Sequence, residues 1–84
     1  MTQQTTNMTT ETYNGWANYE TWNVALWIGN DEFLYGQARR YGWRGYDKLI
    51  SILETAVGME TPDGVRWNDP QLDHEELDEM IDEL

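Results

Sequence analysis

From Tyr46 onward, Leu49, Ile50, Leu53, Ala56 and Val57 fall at i+3, i+4, i+7, i+10 and i+11 without a miss. That is the spacing of one face of an α-helix and of no β-strand. A helix of that regularity needs other helices to bury its stripe, and the rest of the chain supplies them. Asn18 reads as an N-cap, with Glu20 near the positive end of the helix dipole. Trp22, Ala25, Leu26 and Gly29 then form a second stripe at i, i+3, i+4 and i+7. Gly29-Asn30-Asp31 is a break, after which Leu34, Ala38 and Tyr41 repeat the helical spacing, weakened by Gly36. Gly58 ends the long helix, and Thr61-Pro62-Asp63-Gly64 is a turn with proline at its second position. Val65-Arg66-Trp67 is too short to assign, and a short β-hairpin there is the main alternative to loop. The last helix has two candidate starts. One is Asp69 followed by Pro70; the other is Asp73 with Glu76 at N3, flanked by the staple pair Leu72 and Leu77. Leu77, Met80, Ile81 and Leu84 continue its apolar face.

The expected fold is therefore all-α: a small single-domain bundle of three to four short helices, near 18–29, 31–41, 46–58 and 70–84, with a tryptophan-rich core. Trp22 and Leu26 are expected to pack on the Leu49/Ile50/Leu53 stripe. Residues 1–12, polar and without apolar periodicity, are expected to be a disordered arm ahead of a single domain spanning 13–84. At 84 residues the chain has room for one domain, which needs its large aromatics to build a core.

Charge and composition bound the function. Sixteen acids against five bases give a formal net charge of −11. Eight of the acids (Asp69, Asp73, Glu75, Glu76, Asp78, Glu79, Asp82, Glu83) lie after residue 68, where no Lys or Arg occurs. Such a polyanion repels phosphates, so direct nucleic acid binding is disfavoured, as is docking on an anionic membrane. No apolar run approaches the roughly 18 residues of a membrane span, and the opening MTQQTTNMTT lacks the basic and apolar regions of a signal peptide. A cytoplasmic location is the expectation. With no cysteine there is no thiolate nucleophile and no cysteine-ligated metal.

The residues of chemical interest each carry two readings. His74, the one conventional general base, has no serine or cysteine partner in a recognisable motif, and Ser51 sits mid-helix between Ile50 and Ile52. The acids form no calcium loop, there is no Glu-x-x-His pair, and no glycine loop has phosphate-cradling spacing. No enzyme, no metal and no cofactor is the resulting expectation. The aromatics Tyr13, Trp16, Tyr19, Trp22 and Trp27 serve as core or as a stacking surface; Trp16 and Trp27 miss the stripe and are expected to be partly exposed. Arg39, Arg40, Arg44 and Lys48, interleaved with Tyr41, Trp43 and Tyr46, resemble a nucleic-acid footprint. Their competing role is to pair with the acidic last helix.

On that helix Asp78, Glu79, Asp82 and Glu83 face away from Leu77, Met80 and Ile81. Duplex DNA carries a charge about every 1.7 Å and a helix rises about 1.5 Å per residue, so an acid at every second position imitates part of that charge density. The competing reading is a solvated face.

The stretch YNGWANYETWNVALWIGND, Tyr13 to Asp31, resembles a family of small uncharacterised proteins of phages, plasmids and some cyanobacteria and archaea, with an N-G-W-x-N-Y-x-T-W-x-V-x-L-W core. VRWNDPQLDHEELDEMI is a weaker echo. The resemblance implies a compact helical fold and a mobile-element setting, and it implies no reaction. Together the expectations are a non-enzymatic acidic module, phage-type, that binds a host protein's basic surface through Asp78, Glu79, Asp82 and Glu83, with Trp16 or Trp27 as apolar anchor. The host cytoplasm is then its site of action. The alternatives are a nucleic-acid binder through Arg39–Lys48, or a structural subunit forming a homodimer through the apolar face of 72–84.

Overall fold

The computed structural model describes residues 15–84. The expected arm 1–12, along with Tyr13 and Asn14, lies outside the described residues. Four helices follow one another: α1 (Tyr19–Asn30), α2 (Glu32–Tyr41), α3 (Tyr46–Val57) and α4 (His74–Asp82), with a 3-10 turn, Gly42–Arg44, between α2 and α3. Consecutive helices touch, and α4 returns against α1 to close the ring. The protein is all-α, with no strand among the described residues.

Three of the helices open on a side-chain cap. Asn18 Oδ1 accepts from Thr21 N–H, Asp31 Oδ1 from Leu34 N–H and Asp73 Oδ1 from Glu76 N–H, each satisfying a donor the helix leaves unpaired. The last helix thus uses the later of its two starts, and 70–73 precede it as turn and cap. Gly58 closes α3 at φ 96°, where a side chain is strained. Among the described residues no helix is long and apolar enough to cross a membrane.

The core consists of Val24, Ala25 and Ile28 from α1, Leu34 and Ala38 from α2, Tyr46, Leu49 and Leu53 from α3, and Leu77 and Ile81 from α4. Leu72, Val65 and Trp67 complete it from the connections. One expectation is corrected here. The buried face of α1 is Thr21, Val24, Ala25 and Ile28, whereas Leu26 is 37% exposed. The Trp22/Leu26 stripe is rotated from it by one residue, about 100°. α1 is apolar over so wide an arc that spacing alone does not choose its inner side. The core also holds one fully buried tryptophan, Trp67, with Trp16 and Trp27 packed against its edge and Trp43 out in solvent. Large rings serve here as rim more than as centre.

The turn expected at 61–64 and the unassigned 65–67 belong to one hairpin-shaped loop, 59–67. Thr61 N–H donates to the Val65 carbonyl, Gly64 N–H to Thr61 and Trp67 N–H to Met59, around a lone antiparallel bridge between Glu60 and Arg66. Its Trp67 indole N–H donates to the Gly58 carbonyl, and the Tyr46 hydroxyl donates to the Trp67 carbonyl at 2.6 Å. Burial first, and the Glu54 carboxylate second, push the Tyr46 phenol above its ordinary range, so it stays a protonated donor. On the apolar face of α4, Leu77 and Ile81 are buried inside the fold, while Met80 and Leu84 are half-buried against it. Gly42 lies so close to Ile81 that a methyl group in its place would run into that side chain.

Candidate functional site

The start of α4 is locked to the start of α1. Asn18 Nδ2 donates to the Gln71 carbonyl, Asp73 N–H to Thr21 Oγ1 and Ala17 N–H to Glu76 Oε1. This interlock lays Gly15 and Trp16 alongside α4. The result is a shallow groove of about 330 Å³ lined by Gly15, Trp16, Glu76, Glu79, Met80 and Glu83. Glu76, Glu79 and Glu83 stand at i, i+3 and i+7, so their axial spacing is about 4.5 and 6 Å. Trp16 is half-buried, and Glu79 and Glu83 are exposed. No base lines the groove. Chemically it offers an indole and a thioether beneath three carboxylates, which suits a cationic, partly apolar surface.

Of the acids expected to bind a partner, Glu79 and Glu83 line this groove, Asp82 is exposed on the same helix outside it, and Asp78 is employed elsewhere. Asp78 Oδ1 accepts from the Tyr46 backbone N–H at 2.7 Å. Helix α3 begins at Gly45, which has no side chain to cap with, so a carboxylate from α4 does the capping from 32 residues away. Of the four acids expected to meet a partner, Asp78 is thus the one with an oxygen committed inside the fold. Asp78→Ala should destabilise the protein by about 1 kcal/mol, measured by urea unfolding, while Glu79→Ala should change stability by less than about 0.5 kcal/mol. Equal effects at the two positions would contradict this division of labour.

Trp27, the other expected anchor, lies outside this groove. Its indole N–H donates to Asp63 Oδ2 at 2.8 Å, and it lines a separate cleft with Phe33 and Pro62. Sequence reasoning missed Glu76, whose place three residues after an N-cap marks it for a capping box and conceals its role in holding Ala17.

The basic residues are all exposed. Arg44 and Lys48 line a groove of about 380 Å³ with Tyr41, Trp43, Ser51 and Ile52; Arg39 and Arg40 do not. Trp43 is 72% exposed, with the Arg44 guanidinium 4.9 Å from its ring centroid, and Arg40 sits 5.9 Å from that of Tyr41. Among the described residues these bases form no ion pair with the acids of α4. His74 packs edge-on against Tyr46, ring centroids 5.3 Å apart. Among the described residues no three His, Asp or Glu side chains converge as metal ligands.

The chain belongs to DUF7249, a family of unknown function, whose family model matches residues 9–84. No curated protein and no solved structure matches it.

Proposed function

We propose that this member of DUF7249 is a non-enzymatic protein-binding module whose α4–Trp16 groove docks on a basic surface of a partner. One observation carries the reading: α4 spends its apolar face on the core and leaves Glu76, Glu79 and Glu83 together on one side, beside an accessible indole and Met80. Carboxylates steer a basic partner and set the rate of encounter; the ring and thioether supply the contact that persists. The charge line is sparser than that of duplex DNA, so it covers part of a phosphate-binding groove. The resemblance of YNGWANYETWNVALWIGND to phage and plasmid proteins supports a host protein as partner, met in the host cytoplasm. In the test, the tagged chain captures its partner from host lysate, and association rates are measured for wild type and Glu79→Lys/Glu83→Lys at two salt concentrations. The double reversal should slow association about tenfold or more at low salt and converge with wild type at high salt. Equal, salt-independent rates would end the idea.

A second reading rests on the exposed Trp43 and Tyr41 beside Arg44 and Lys48: a nucleic-acid strand stacking on the rings while the cations hold its phosphates. Trp43 fluorescence quenching by an oligonucleotide at low salt, lost in Trp43→Ala and at high salt, distinguishes it from docking at α4.

A further inference from the structure

A third surface answers to neither reading. Where α1 turns into α2, Trp27, Asp31, Phe33, Val57, Glu60 and Pro62 line a cleft of about 300 Å³, floored by the buried Leu34 and Trp67. That is the low end of ligand-sized clefts, about 300–1,000 Å³, and suits a side chain better than a cofactor. Its walls are unusually open for apolar groups. Phe33 is 51% exposed and Val57 44%, with Met59 close in sequence at 47%. Its charged members are both acidic, and no Lys, Arg or His lines it. Asp31 uses one oxygen to cap α2; the Glu60 side chain is exposed and has no hydrogen-bond partner among the described residues. Asp63 adds a third carboxylate nearby, since it accepts from the indole N–H of Trp27.

Two rings in the lining, exposed Phe33 and half-buried Trp27, with carboxylates beside them fit a cation carried on an aliphatic stem: the rings attract the cation and cover the stem, and the acids complete the charge. We propose that this cleft binds an arginine or lysine side chain of a partner polypeptide. It lies on other elements than the α4 groove, so it stands or falls independently of docking there.

The probe is N-acetyl-arginine amide, titrated into the full chain at constant ionic strength and followed by amide and indole NMR, with N-acetyl-citrulline amide as the neutral counterpart of the same shape. Saturable shifts are expected at the Trp27 indole N–H and at the amides of 31–34 and 57–61, with citrulline at least about tenfold weaker. Phe33→Ala and Glu60→Gln should each weaken arginine binding about three- to tenfold. Both side chains are exposed, and Glu60→Gln preserves size should Phe33→Ala disturb the fold. Three results would overturn the proposal: equal responses to arginine and citrulline, non-saturating shifts spread over the acids of α4, or unchanged binding in Glu60→Gln. Shifts at Gly15, Trp16 and α4 report on the other groove separately, so the two sites fail distinguishably.

Discussion

Trp67→Ala should lower the unfolding temperature by about 15–30 °C, the expected consequence of losing about 3–5 kcal/mol from a domain of this size. The residue is fully buried and belongs to the central cluster with Leu49, Leu53 and Tyr46. Removing the indole also orphans the Gly58 carbonyl, which accepts its N–H at 3.0 Å. A chain of 84 residues has about 4–13 kcal/mol of total stability, so the loss takes a large part of it. Trp67→Phe keeps the ring's bulk and should recover more than half of the loss. Circular dichroism melts of the two variants decide the matter: a fall below about 5 °C for alanine would mean that the core closes without this side chain.

That the largest fully buried side chain belongs to a residue the pattern left unassigned has a physical cause. Helices α2 and α4 announce themselves because Asp31 and Asp73 cap them three residues ahead, and α3 because its stripe is unbroken up to Gly58, which ends it at a positive φ. The all-α class and the order of the helices follow from those signals. Trp67 has no such signature. It is positioned by a carbonyl nine residues back and a tyrosine 21 residues back, neither of which leaves a trace in the spacing. The same holds at the candidate site. Glu79 and Glu83 are legible as the polar side of α4, and Trp16 as a ring off the α1 stripe. That Asp78 caps a different helix, and that Trp27 belongs to Asp63, depends on approaches across 32 and 36 residues. The rotation of α1 is a different failure, in which too many apolar residues compete for one inner face.

Asn23 is the second position where a large effect is expected, and it too serves the 59–67 loop. Its side chain is 1% exposed and uses both ends: Oδ1 accepts from the Thr61 hydroxyl and Nδ2 donates to Asp63 Oδ2, each at 2.8 Å. Thr61 Oγ1 in turn accepts the backbone N–H groups of Asp63 and Val65, so one amide organises the whole turn. Asn23→Ala leaves the buried Thr61 hydroxyl without its acceptor, which alone costs about 1–3 kcal/mol. The cost should depend on pH. Hydrogen bonds from Asn23, and secondarily from Trp27, hold the Asp63 carboxyl below its ordinary value. A carboxyl depressed in the folded state stabilises above its unfolded value, about 3.9, and that contribution disappears as pH falls through the folded value. The Asn23–Asp63 part of the penalty should therefore be present at pH 7 and shrink below about pH 4, while the Thr61 part persists. Urea unfolding of wild type, Asn23→Ala and Asp63→Asn at pH 7 and pH 3 separates the two. Because Asn23 pins the turn of the loop and Trp67 its last residue, their double variant should lose less than the sum of the single losses. Strict additivity would mean that the loop's two attachments to the helices form and break independently.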